Sequence, residues 1–213
     1  MKLIWYGHAC FELRSSAGSV VFDPYRPGSV PGLSLPELNA DVVICSHGHS
    51  DHNCSEAVKL SGREPEFKVT QIPVFHDDQC GKLRGKNLCS IVEADGLRVA
   101  HLGDLGQALS GDELRSFGRI DLLMIPVGGV YTIDAVQAKE LIDALKPRIA
   151  VPMHYRCASS GIRSIAPVED FLRLWPAEDV RLLHSSEYDM ESRENAKIIV
   201  FSICLWHMPP IIF

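Results

Sequence analysis

The sequence predicts a mixed α/β (α+β) fold of stacked sheets flanked by helices. Three observations predict it: short β-rich runs separated by turn residues fill the first part of the chain, strands and helices mix after them, and no glycine-rich phosphate loop opens a helix. At 213 residues the chain is long enough for one sizeable core and short for two, so residues 1–213 are read as a single domain.

Taken in order, Leu3 to Trp5, Cys10 to Arg14 and Ser19 to Phe22 read as consecutive strands, with Ser15-Ser16-Ala17-Gly18 as a hairpin turn. Asp23-Pro24 ends the third, since proline cannot donate into a central ladder. Residues 25 to 40, rich in Pro, Gly and Ser, read as a loop. Asp41 to Cys45 suits a strand buried on both faces. A short helix is expected over Cys54 to Leu60. Strands follow at Val69 to Val74, Leu88 to Glu93 and Leu97 to Leu102, the last two joined by the hairpin signal Asp95-Gly96. Ser110-Gly111-Asp112-Glu113 fits a capping box opening a helix to Phe117. Leu122 to Val127 is a buried strand. Thr132 to Leu145 is a helix whose apolar face is Ile133, Val136, Leu141 and Leu145, stopped by Pro147. Ile149 to Val151 is a strand, Val168 to Leu174 a helix, and Val180 to Leu183 and Lys197 to Phe201 are strands.

Bulk properties exclude several classes. The 46% hydrophobic and 23% charged composition argues against disorder. A net charge of −6 without a long basic run argues against nucleic-acid binding. No run reaches the ~20 apolar residues needed to span a bilayer, and the apolar start is broken by Gly7 and His8, unlike a secretory signal. The seven cysteines are odd in number and form no CxxC pair, so they read as reduced thiols in the cytoplasm. The apolar tail Ser202 to Phe213 suggests a docked segment or a partner surface, and homo-oligomerisation stays open.

The chemistry concentrates after the strand ending at Cys45. In Ser46-His47-Gly48-His49-Ser50-Asp51-His52, four ligand-type side chains fall within six residues. Imidazole and carboxylate suit Zn²⁺, Fe²⁺ or Mn²⁺. The small Gly48 and Ser50 let the backbone fold tightly. One tetrahedral ion would not take four ligands from so short a segment, so Asp51 and His52 are free for a second. Further candidates stand at strand ends: His76, Asp104 and His154.

His47-x-His49-x-Asp51-His52, then His76, Gly103-Asp104 and His154, resembles the metal motif of the metallo-β-lactamase superfamily. The closer likeness is to the branch of predicted zinc-dependent hydrolases that includes the ascorbate-6-phosphate lactonase-like proteins. Gly7-His8-Ala9-Cys10-Phe11, His101 to Gly106 and Pro126 to Thr132 support the likeness, which runs to about residue 157. It implies a four-layer αββα sandwich with the site at one edge between the sheets. It also implies one ion on His47, His49 and His76, a second on Asp51, His52 and His154, and Asp104 bridging them.

Two such ions, most readily Zn²⁺, lower the pKa of a shared water so that hydroxide is available near neutral pH. The expected activity is hydrolysis of a lactone, ester or phosphoester in a small anionic substrate. Formal counting leaves the cluster about one positive charge, which draws anions. Asp51 is a candidate catalytic group, as is His8, through substrate contact or proton transfer. His101 is a candidate for hydrogen-bonding a ligand, or a satisfied core histidine, and Asp23 for orienting a ligand. Lys82, Arg84 and Lys86 form a basic loop able to orient an anion. Tyr131 and Tyr155 could line the pocket, although Tyr155 can equally point away. His184 and His207 carry no motif context. Competing readings are a phosphodiesterase of the same superfamily, a di-iron redox centre and a non-catalytic metal binder. The redox reading is disfavoured because its members replace the second loop histidine by Glu, whereas residue 49 is His.

Overall fold

Two β-sheets share one hydrophobic core in the computed structural model of the chain, which describes residues 1–157, 159–191 and 195–201. The five-stranded sheet holds β1 (Lys2–Gly7), β2 (Cys10–Ser15), β3 (Gly18–Phe22), β5 (Val42–Ile44) and β13 (Glu187–Asp189), in the order β13-β1-β2-β3-β5. The seven-stranded sheet holds β7 (Lys68–Phe75), β8 (Lys86–Ala94), β9 (Leu97–His101), β10 (Leu122–Pro126), β11 (Ile149–Met153), β12 (Val180–Leu182) and β14 (Ile198–Val200). Its order is β12-β14-β11-β10-β9-β8-β7. A small parallel pair, β4 (Leu38–Ala40) and β6 (Val58–Leu60), stands apart.

Side-chain alternation builds the layers. In β2 and β3, Phe11, Leu13, Val20 and Phe22 point into the shared core, while Cys10 and Val21 point the other way. That outer face is covered by Tyr25, Val30, Leu38, Ala40 and Val58. β10 and β11 are buried along their whole length, as parallel strands covered on both faces must be. The helices α1 (Gly111–Phe117), α2 (Ala135–Leu145) and α3 (Val168–Leu172) form a row, with α2 touching both neighbours. They bury Phe117, Ala138, Ile142 and Phe171 into the same core. The expected mixed α/β sandwich is therefore present.

Local signals act as expected at several places. Ser110 caps α1 in a full capping box with Glu113. Asp134 does the same for α2 with Gln137, which moves the start of that helix to Ala135. The Asp95-Gly96 turn has positive φ at both residues, 51° and 73°, matching the twist of the β8–β9 hairpin.

Three expectations are corrected. Residues 54–60 form a 3₁₀ turn (Ser55–Ala57) and then β6, because extended backbone lets Val58 bury against Leu38 and Ala40 while Leu60 stays exposed. In α2 the buried stripe is Ala138 and Ile142, four apart on one face, and Val136 is exposed. Cys157 is disulfide-bonded, whereas Cys10, Cys45, Cys54, Cys80 and Cys89 are free. Pairing depends on approach in space, which spacing along the chain does not reveal. No helix among the described residues is long and apolar enough to cross a membrane. The tail Ser202 to Phe213, with His207, lies outside the described residues.

Candidate metal centre

The site assembles because strand ends are in register. In the parallel run β9-β10-β11, His101 pairs with Met124 and Met124 with Val151. Asp104 and His154 each lie three residues beyond those aligned positions, so both leave the sheet at one level. His76 follows β7, and Gly106 N–H donates to Phe75 C=O at 3.0 Å, tying that end to the Asp104 loop. From the other sheet, β5 delivers the 46–52 loop, β3 delivers Asp23, and the turn between β1 and β2 delivers His8. Leu88 N–H donates to Ser46 C=O across the sheets at 3.0 Å. Gly103 packs so closely that a Cβ there would meet Ser46 Cβ and Asn87 Oδ1 at 2.4 Å.

The structure brings all the motif side chains together. Nitrogen and oxygen atoms of His47, His49 and His76 lie within 4.8 Å of one another, as do those of Asp51, His52, His154 and His8, and those of His47, His52 and Asp104. Asp104 stands between the first two groups. Its Oδ2 is 3.2 Å from both His76 Nε2 and His154 Nε2, and its Oδ1 is 3.2 Å from His52 Nε2.

Neighbouring groups aim the imidazoles. The buried Asp23 carboxylate accepts from His52 Nδ1 at 2.7 Å and from Ser46 N–H and Oγ–H at 2.7 and 2.6 Å. His76 Nδ1 donates to Tyr131 C=O at 3.0 Å, and His47 Nδ1 lies 3.0 Å from Ser46 Oγ. In each ring Nε2 is left to face the cluster. Asn87 holds the Asp104 backbone, accepting from its N–H at 2.9 Å and donating to Leu102 C=O at 2.8 Å. His8 and His154 both adopt positive φ, 53° and 52°, a costly backbone for non-glycine residues. His154 N–H donates to His8 C=O.

Several buried polar atoms in this cluster lack hydrogen-bond partners among the described residues: His47 Nε2, His52 Nε2, His154 Nε2, His8 Nδ1 and Asp104 Oδ1. Unpaired buried donors and acceptors are costly, and their convergence fits divalent cations. The donor set, imidazole and carboxylate, suits zinc-type ions.

Electrostatics prepare the same outcome. Burial, then His52 nearby, lowers the His47 pKa to about 3. Burial and His154 lower that of His8 to about 4. Both rings are thus neutral, the form that binds metal. Burial opposes the His52 cation, but Asp104 and Asp23 outweigh it and hold its pKa well above the ordinary value. Burial likewise works against the Asp104 carboxylate, yet His154 and His52 keep it ionised far below the usual range.

A cleft of about 280 Å³ opens onto the cluster, its wall carrying His49, Asp51, Arg84, Tyr131 and Ile162. Arg84 enters it from the basic loop, while Lys82 and Lys86 are exposed and do not line it. Tyr155 turns away to pack on Trp5 at 5.6 Å. His101 is a satisfied core histidine: it stacks on Phe22 at 5.0 Å, its Nε2–H donates to Ala9 C=O, and its Nδ1 accepts from Gly103 N–H. His184 is exposed and away from the cleft. The reading of the residues missed Asp77, Asn87, Ser46, Ile162 and Ser164. Asp77 alone carried a signal, an acidic residue ahead of a Gly-containing turn.

A family model described as a beta-lactamase superfamily domain matches residues 2–154. A UPF0173 metal-dependent hydrolase of Thermoplasma acidophilum is 31% identical over 194 residues, 73% of this chain and 83% of the relative. One of Opitutus terrae is 32% identical over 198 residues, 73% and 85% of the two chains. Among solved structures, a Thermotoga maritima protein provisionally described as a zinc-dependent hydrolase of the metallo-β-lactamase superfamily is 32% identical. It superposes with a TM-score of 0.74 over 94% of this chain and 97% of its own. A metallo hydrolase of Ignicoccus hospitalis, 21% identical with a TM-score of 0.61 over 79% of this chain and 87% of its own, shares the fold.

Proposed function

Since this chain belongs to the metallo-β-lactamase superfamily and is one of its metal-dependent hydrolases, we propose that it works as a dinuclear enzyme on a lactone, ester or phosphoester bond of a small anionic substrate. Residues 1–213 act as one hydrolase domain. His47, His49 and His76 hold one ion, Asp51, His52 and His154 the other, and Asp104 lies between them. The carrying observation is the shared Asp104 carboxylate: its Oδ2 lies 3.2 Å from His76 Nε2 of one group and from His154 Nε2 of the other, and its Oδ1 lies 3.2 Å from His52 Nε2. Zn²⁺ suits the donor set best, with Mn²⁺ and Fe²⁺ as alternatives.

When bound, the ions supply a water of lowered pKa and polarise the substrate oxygen under attack. The chain's own groups do the rest. His8 Nε2, 3.3 Å from Asp51 Oδ2, stands beside the cluster, where it can contact the substrate or pass it a proton. Tyr131 and Ile162 wall the cleft and limit water. The five free thiols support a cytoplasmic setting, and the Cys157 disulfide stands against it.

The test is elemental analysis of untreated protein, then a panel of lactones, thioesters and phosphodiesters assayed with zinc and with manganese. We expect about two ions per chain, turnover of at least one class, and loss of turnover on chelation. Turnover that survives complete removal of metal overturns the proposal.

A further inference from the structure

The loop between β7 and β8 is built around one buried carboxylate. Asp77 Oδ1 accepts from Gln79 and Gly81 N–H, both at 2.8 Å, and Oδ2 from Leu83 and Arg84 N–H at 3.0 and 2.8 Å. The main chain of Arg84 is thereby fixed directly beside His76. Its guanidinium carbon lies 5.5 Å from the centre of the Tyr131 ring, a cation–π seat. Arg84 and Tyr131 line the same cleft as Asp51, Asp104 and His154.

Among the described residues no carboxylate pairs with Arg84. Ser164 Oγ–H donates to the Tyr131 hydroxyl oxygen at 3.2 Å, which leaves the phenolic hydrogen available to an acceptor in the cleft. A fixed, unpaired fork of donors and a free hydroxyl thus face the space beside the metal cluster.

We propose that Arg84, with Tyr131, is the specificity-determining anion seat of this enzyme. It takes a carboxylate or phosphate monoester group that the substrate carries apart from the bond being cleaved. The guanidinium offers two parallel N–H donors to such a group, which an ammonium cannot match. The inference rests on the metal-centred reading above, because the reacting end of the substrate must sit at the cluster.

Binding of simple acids tests it without a known substrate. Metal-loaded protein is titrated calorimetrically with the dicarboxylates malonate, succinate and glutarate, and with the monocarboxylates acetate, propionate and butyrate. Metal content is measured alongside. In the wild type the best dicarboxylate binds about 10- to 100-fold tighter than its monocarboxylate partner, the worth of a charge-assisted hydrogen-bonded contact. Arg84→Ala brings that ratio close to one with metal retained, and Arg84→Lys keeps part of it. Lys82→Ala and Lys86→Ala leave it standing. A wild-type ratio near one, or a ratio unchanged in Arg84→Ala, overturns the seat while leaving the metal reading intact. Loss of metal in Arg84→Ala, or an equal fall in the two lysine variants, overturns it too, by showing a structural prop or diffuse charge. A wild-type protein that holds no metal fails the underlying reading and the inference with it.

Discussion

Asp23 decides which nitrogen His52 presents. By accepting from Nδ1 it fixes the tautomer, and its other contacts anchor Ser46 at the start of the motif loop. Asp23→Ala strands two buried N–H groups and a hydroxyl and frees the ring to rotate. We expect a 10- to 100-fold loss of metal affinity, roughly what removal of such outer partners costs, read by competition with a chromophoric chelator. Unchanged affinity accompanied only by a lower melting temperature assigns Asp23 to folding alone. Residues 47–52 were legible because the spacing is local and needs no knowledge of the fold. His76, Asp104 and His154 were legible only as polar residues ending apolar runs, and resemblance supplied their grouping. Asn87 was not legible at all, since its work depends on which main-chain groups the sheets bring to it. His101 shows the opposite error risk: it sits three residues from Asp104, yet its ring is spent on Phe22 and Ala9.

The 77–86 loop behaves as an element in its own right, with Asp77 as its centre. Burial alone would raise the Asp77 pKa, but four N–H donors from Arg84, Gln79, Gly81 and Leu83 outweigh it and hold it below the ordinary carboxylate value. A folded pKa below the unfolded one contributes stability above the unfolded value, about 3.9, and that contribution is lost as pH falls through the folded value. Asp77→Asn therefore lowers the melting temperature at pH 7 by roughly 2–8 °C, and the gap to wild type closes as the pH drops below about 4. A gap that persists at low pH would mean shape, not charge, holds the loop. Strands were read well wherever period and punctuation agreed, as in β2–β3 and β8–β9. The 54–60 segment was misread because three-residue strands carry too few positions to reveal a period; only pairing with β4 defines β6.

On the scale of the whole molecule, candidate ligands come from both sheets: His8, His47, His49, Asp51 and His52 from the five-stranded one, His76, Asp104 and His154 from the seven-stranded one. An ion held there would join the two halves and bind only the folded chain. Saturation at 100–1,000 times Kd adds about 3–4 kcal/mol for each ion, so chelation should lower the melting temperature by roughly 6–16 °C per ion at about 2–4 °C per kcal/mol. Calorimetric scans with and without chelator check this, and coincident scans would place no ion between the sheets. The layered architecture was visible in the order of strands and helices, but the pairing of sheet edges was not, because nothing local records that β13 closes the sheet begun by β1. Tyr131 carries a practical corollary. Its carbonyl steers His76 while its ring supports Arg84, so a protein engineer can exchange the aromatic group and retune ligand preference with the histidine undisturbed. Lengthening or shortening the segment from Gly128 to Thr132, by contrast, would shift both neighbours in one stroke.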